Sequence, residues 1–437
     1  MKKFSLNTLA LVCAAALTGC GDAETNINEI EPTVVVDTED EHDHDEDHDH
    51  DEEVGEGRLA ITAADQAVIY IYDLEDNSLI DSLNLTHPAE YLYASPENRY
   101  AVSIQRTLDS VEFVDGGLWQ ELHDDHYDQH DDEPVLTDFT LNDSKPTHYV
   151  QRGEQTAIFF DGDGDSGINA RLSILSDESI AEETTIADHD FDTNIHGTAE
   201  IRDNYVLTTL RDSDSESTLP EYIAVLELHG DHFHQEEILD INCPALHGSF
   251  QTETHIAFGC SDGVLSIEQQ GDVFTPLKIA NPSELATGSR IGDLIGSPES
   301  NIMIGTASSD FYLVDLTSAN ITPFGWQTED NLTSVVYSFD GHKEHMLILD
   351  NEGYLNLYSA EDNWEFEKRI LVIENLAADA DPMIVSSKAA EVIYIVNGQQ
   401  VTSVDLDDDH VEDILTLDFQ ASGAVWLGIA EEEEHDH

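Results

Sequence analysis

Positive charge is scarce in this chain. Against 93 Asp and Glu, its 437 residues carry only 16 Lys and Arg, for a formal net charge of −77. Such a polyanion is repelled by phosphate backbones, which excludes nucleic acid as a partner. It also repels itself at low ionic strength and attracts cations, so it suits a salty habitat or a cation-handling role. Cysteine is sparse too, with only Cys13, Cys20, Cys243 and Cys260. There is no GxSxG elbow, no P-loop, no GxGxxG after a strand and no CxxCH haem site, so no motif demands a catalytic centre and the chain is read as a non-enzyme. Convincing amphipathic helices are also missing.

The one long apolar run stands at the N-terminus, MKKFSLNTLALVCAAALTGC, and is too short to span a bilayer stably. Two lysines ahead of it and small residues behind it make residues 1–19 a secretory signal. The tetrad Leu17-Thr18-Gly19-Cys20 resembles a bacterial lipobox, so Cys20 is expected to become the acylated first mature residue and the only attachment to a membrane. Gly21 after the cysteine favours the outer membrane, facing the periplasm. Removing Cys13 with the signal and Cys20 as the lipid site leaves Cys243 and Cys260, and an oxidising compartment predicts one disulfide between them, bridging adjacent strands.

Residues 20–57 hold the lipid cysteine and a low-complexity tract, TEDEHDHDEDHDHDEE, expected to be disordered until something binds it. From Arg58 onward, short runs of Val, Ile, Leu, Tyr and Phe alternate with Asp, Asn, Gly and Ser, which reads as all-β. Stacking the segments shows a repeat, with second-and-third strand pairs such as RYAVSIQ with SVEFVDGG and HIAFGCSDG with VLSIEQ. First strands begin near Ala89, Thr147, His196, His247, Ile291, Thr333 and Pro382, at propeller-blade spacings of about 40 to 57 residues. The start of this region supplies three strands and its end an orphan, SGAVWLGIA, that would join them and close the ring. The expectation is a β-propeller over 58–430 with eight blades, seven being the alternative count, and an acidic His-containing tail over 431–437.

Zinc takes neutral imidazole or carboxylate donors converging from several directions, and the first strands of a propeller all line its central channel. His148 in PTHYV, His196 in NIHGTAE and His247 in ALHGSF fall at or near the starts of successive first strands, which puts them at one mouth. Recurrence at one blade position sets them apart from solvated surface histidines. His87, in LTHPAEY, is expected to point the same way.

A second cluster, ELHDDHYDQH over 121–130, is inserted between the third and fourth strands of one blade. His123 and His126 stand at a common ligand spacing, with Asp125 or Asp128 as oxygen ligand or imidazole anchor. His42, His44, His48 and His50 in the N-terminal tract form a looser set. The run Asp161-Gly162-Asp163-Gly164-Asp165 resembles the start of a calcium loop, but Ser166 and Ser173 replace the Gly and Glu of that pattern, so a tight acidic turn is the better reading. HGDHFH over 229–234 and the terminal EEEEHDH read as solvated.

The run RYAVSIQRTLDSVEFVDGGLWQELHDDHYDQHDDEP, followed by PTHYV, AIFFDGDG, IHGTAE and CPALHGSF, resembles the AztD-type periplasmic zinc metallochaperones. The resemblance covers the chain from about Arg58 to the C-terminus and is sharpest between Arg99 and Leu265. It implies a monomer that holds zinc and hands it to the solute-binding protein of a zinc ABC importer. His123 and His126 match the family's acidic-histidine insertion, His148 its strand-initial histidine, and His196 and His247 its two His-Gly motifs. Where that family carries a further histidine two places after His126, this chain has Asp128, with His130 beyond it.

In the mechanism this implies, the tract collects zinc loosely and passes it to an ordered site, since ordering entropy weakens a disordered binder. Free imidazole titrates near pH 6.5, so zinc should leave below about pH 6. The alternatives are a lactonase-like propeller hydrolase using a channel-bound metal and a scaffold whose histidines are incidental.

Overall fold

The computed structural model describes residues 55–123 and 126–430. Cys20, the tract with His42, His44, His48 and His50, Asp125 and the tail over 431–437 lie outside the described residues. Among the described residues no helix is long and apolar enough to cross a membrane.

The strands gather into antiparallel sheets of four, with one sheet of eight in which two four-stranded halves touch through a single parallel bridge, Asp188 to His232. Dividing at that bridge gives eight four-stranded units among the described residues, which we read as blades. The second strand of the second blade, Tyr100–Gln105, and its third, Ser110–Asp115, are buried at every position, because a neighbouring blade covers each face. Apolar residues therefore occur on both faces of each strand, with Ser103, Gln105 and Glu112 buried among them. The outermost strand of the first blade, Ser78–Asn84, is mostly exposed and reads SLIDSLN, so it alternates instead.

Each adjacent pair of blades shares one apolar cluster, and eight such clusters complete the circuit. The first blade is shared between the chain's two ends. Arg58–Ala63 pairs with Ala421–Leu427, and Trp426 Nε1 donates to the Glu56 carbonyl at 3.0 Å. Ala421–Leu427 is the innermost strand of that blade, so the ring closes without leaving a sheet edge in the channel.

The disulfide joins Cys243 and Cys260, but not across neighbouring strands. Cys243 lies in the connector between the fourth blade (199–238) and the fifth (247–280), and Cys260 ends the fifth blade's second strand, His255–Cys260. The bridge therefore fastens an inter-blade connector to the blade it feeds. Apolar spacing shows both segments but not the turn between them.

Candidate metal centre

Every inner strand runs the same way, from one mouth of the channel to the other. The inner strand of the third blade is Pro146–Arg152 and that of the fifth is His247–Gln251. His148 and His247 stand at their beginnings, and His196 lies just ahead of the fourth blade's inner strand, Ala199–Arg202. The three imidazoles meet at this mouth, each offering a ligand atom within 4.8 Å of the others. Their ring centroids are 5.0, 5.6 and 5.3 Å apart.

Local backbone aims them. The pairing register slips between Pro146 and His148 and again between His247 and Ser249, and such bulges redirect a side chain at a strand end. Gly248 has φ +64°, and a Cβ there would lie 2.4 Å from the Gly292 carbonyl oxygen. At Gly197 a Cβ would meet the Phe159 ring and the Thr209 hydroxyl at 2.5 Å. Both His-Gly pairs thus have a steric cause.

Hydrogen bonds fix which nitrogens are free. His196 Nδ1–H donates to Asp161 Oδ2 at 2.9 Å, and His247 Nδ1–H donates to the Gly292 carbonyl at 2.7 Å. A carbonyl can only accept, so His247 carries its proton on Nδ1 and presents a bare Nε2, and the buried carboxylate sets the same tautomer in His196. Arg106 holds Asp161 from the other side at 2.8 Å and also donates to Thr147 Oγ1. His148 Nδ1 is buried without a hydrogen-bond partner, a costly state that a metal would relieve.

Burial pushes His148 down to about 4, with His196 and His247 adding to the drop and Asp161 opposing it. Burial also lowers His247, against the Gly292 carbonyl and with help from the Arg290 guanidinium. Both imidazoles are therefore held in the neutral form that a metal needs.

The insertion in the second blade is a two-stranded hairpin, Leu118–His123 paired with His126–Asp131. His123 faces His126 across the ladder, and Asp128 lies two places along from His126, so a period of two sets all three on one face. Asp128 bridges the imidazoles, with Oδ2 3.2 Å from His123 Nδ1 and Oδ1 3.4 Å from His126 Nε2. The three ligand atoms again fall within 4.8 Å. The side chains are 66% and 60% exposed for His123 and His126, against 25% for His196, so this group is open where the channel group is half-enclosed. His130 is not part of it; its ring stacks on Trp119 at 3.9 Å.

The hairpin follows the third strand of its blade, and its base is tied to Arg58, which donates to the Gly116 and Asp132 carbonyls. Arg58 opens the strand paired with the end of Ala421–Leu427. The two histidine groups consequently lie on opposite faces of the propeller.

His87 is half-buried ahead of the strand Tyr91–Ala94 and joins none of the candidate groups among the described residues. The acidic turn after Phe160 is closed by its own bonds: Asp163 accepts from Lys145 Nζ, Ser166 Oγ and the Asp165 amide, while Asp161 serves His196 and Arg106. Two groups escaped the sequence reading. One is Glu227, His229 and Glu236 on the paired strands Tyr222–His229 and His232–Ile238, of which only His229 was singled out, in HGDHFH; the other is Asp340, His345 and Glu391, where His345 bonds Asp340 at 2.7 Å and Glu367 at 2.9 Å.

No family model matches the chain. It is 27% identical over 350 residues to the zinc chaperone AztD of Citrobacter koseri, a match covering 76% of this chain and 80% of that protein. In fold it is similar to the crystal structure of Citrobacter koseri AztD, with a TM-score of 0.70 at 22% identity over 86% of this chain and 99% of that one. The apo form of the same protein gives 0.69 at 22% identity, with the same coverage of both chains. The dihydro-haem d1 dehydrogenase NirN matches with a TM-score of 0.56 at 10% identity, over 84% of this chain and 75% of that one. Likeness at these identities establishes the propeller architecture, which hosts unrelated chemistries.

Proposed function

We propose that this chain, similar in sequence over most of its folded length to a zinc chaperone, is itself a zinc metallochaperone of the cell envelope. The observation that carries this reading is the His148, His196 and His247 group, in which Asp161 and Gly292 fix two imidazole tautomers and His148 buries Nδ1 without a hydrogen-bond partner. Three histidines fill three corners of a tetrahedron, and zinc held there as cargo keeps a fourth position for water or an incoming ligand. Hand-over by ligand exchange needs that position.

The acceptor in this reading is the solute-binding protein of a zinc ABC importer. His42, His44, His48 and His50 collect zinc, the exposed His123, His126 and Asp128 hold it with intermediate strength, and the channel group holds it tightest. Rotamer freedom lost by exposed side chains weakens the outer sites. Because the two ordered groups face opposite ways, they load and unload separately. Cys20 carries the lipid, in the outer membrane facing the periplasm, and the protein works as a monomer without catalysis.

The test compares mature protein bearing Cys20→Ser with a truncation starting at Gly55, which keeps the Glu56–Trp426 bond, in zinc titrations against a competing chelator. The truncation is expected to keep one tight equivalent and lose only weaker ones. His148→Ala, His196→Ala or His247→Ala should each abolish the tight equivalent, while His123→Ala with His126→Ala should remove a weaker one. Loss of all tight zinc on truncation would leave the channel group without a metal role. A three-histidine site with an open position also suits a zinc hydrolase. Zinc-dependent turnover of lactones or phosphoesters would favour that reading.

A further inference from the structure

The channel mouth opposite the histidines is built from the other ends of the inner strands and holds a cavity of about 400 Å³. Arg152, Lys343 and Lys388 line it together with Glu200 and Gln251. In a chain of net charge −77, three cations gathered in one cavity run against the composition.

Among the described residues no carboxylate forms an ion pair with any of the three. Elsewhere Arg99 lies on Asp115 and Arg369 on Asp350, while Arg211 is taken up by carbonyl and amide oxygens. Among the described residues the side chains of Arg152 and Lys388 have neither a carboxylate at ion-pair distance nor a hydrogen bond, and that of Lys343 has only the Phe250 ring, 5.7 Å from its Nζ. The charges press on one another. Enclosure lowers Lys343 and Arg152 lowers it further, with Glu200 opposing; enclosure, then Lys343, brings Lys388 down to about 8, with Asp177 opposing.

Glu200, on the floor of the cavity, is 1% exposed. One oxygen accepts from Gln251 Nε2 at 2.7 Å, and the other, Oε1, is buried without a partner. Burial raises this carboxyl to about 7, although Ser249, Gln251, Arg152 and Lys343 all oppose the rise. In its neutral form Glu200 becomes a hydrogen-bond donor.

A guanidinium fork, two ammonium groups and a buried acid able to donate make up the donor set of an oxyanion site. We propose that this mouth binds a multivalent oxyanion of the phosphate or polycarboxylate class, held by Arg152, Lys343 and Lys388. It is separate from the metal centre, since Arg152 lies four residues along the strand from His148, about 13 Å away.

The test is calorimetric titration of the metal-free mature protein, Cys20→Ser, with inorganic phosphate and separately with tricarballylate, in about 0.15 M NaCl so that long-range repulsion is screened. One-site saturable binding of either probe is expected, and which probe binds tells phosphate from carboxylate recognition. Arg152→Gln and Lys343→Gln should each weaken it about tenfold or more, as loss of a charge-assisted bond does. Lys278→Gln, at a cation paired with Asp262, should leave it unchanged. Unchanged melting temperature and tight zinc in the variants would show that the fold is intact. The proposal is overturned if neither probe saturates by about 10 mM, or if the triple variant Arg152→Gln, Lys343→Gln, Lys388→Gln binds like the parent.

Discussion

Gly248 joins a steric necessity to the orientation of His247 at the proposed metal centre. Its positive φ and the Gly292 carbonyl beneath it leave no room for a methyl group, and that same carbonyl fixes the tautomer of His247. Gly248→Ala is expected to cost about 1–3 kcal/mol in thermal unfolding and to weaken tight zinc together with stability. Asp161→Asn should separate the two effects, because it keeps the shape and loses the ionised partner of His196; zinc affinity should fall about 10–100-fold with the fold intact. The recurrence of His148, His196 and His247 was legible because chemistry repeated at a structural period. Asp161 was visible only as part of a calcium-like run, and the Gly292 carbonyl has no side-chain signature. Glu200 carries a pH dependence of its own. The unfolded carboxyl titrates near 4.5 and the folded one at about 7, so between those values the folded chain keeps a proton that the unfolded chain has lost. Stability therefore falls as pH rises through that interval. Calorimetric melting of Glu200→Gln across this range should give a flatter profile than the parent.

At the scale of elements, inner strands announced themselves, and the insertion over 121–130 could be placed but not recognised as a hairpin. The expected starts near Ala89, Thr147, His247, Thr333 and Pro382 lie within two residues of strands beginning at Tyr91, Pro146, His247, Ser334 and Met383. Those strands follow turn residues and enter a doubly covered core, so their boundaries are marked chemically. The hairpin Leu118–Asp131 leaves Leu122 and Tyr127 exposed among polar residues and so lacks the apolar run of a covered strand, and the short helix Asp177–Ala181 rests on a Ser176–Ser179 capping box rather than an amphipathic stripe. The Cys243–Cys260 bridge spans 17 residues, and closing a loop of that length restricts the unfolded chain by about 3 kcal/mol. Cys243→Ser with Cys260→Ser should lower the denaturant midpoint accordingly. Tight zinc should survive, because the bridge constrains the connector rather than the inner-strand starts. Loss of zinc in the folded double variant would mean that the connector also positions His247.

For the molecule as a whole, apolar and charged residues are sorted by radius. Inter-blade clusters take the apolar side chains, while exposed outer strands such as Glu365–Leu371 and the turns carry acid. The ring was legible because the strands at the two ends of the folded region, Arg58–Ala63 and Ala421–Leu427, belong to one sheet. Charge at this density works against the compact state through self-repulsion that acts over the Debye length, about 30 Å at 0.01 M salt and about 10 Å at 0.1 M. Raising NaCl from about 0.01 M to about 0.5 M should therefore raise the melting temperature of the metal-free protein, with most of the gain below about 0.1 M, where screening changes fastest. Tetramethylammonium chloride should do the same, because screening depends on ionic strength and not on coordination. If sodium stabilised and tetramethylammonium did not, the acidic surface would be binding cations at specific sites, and charge repulsion would not be what salt relieves.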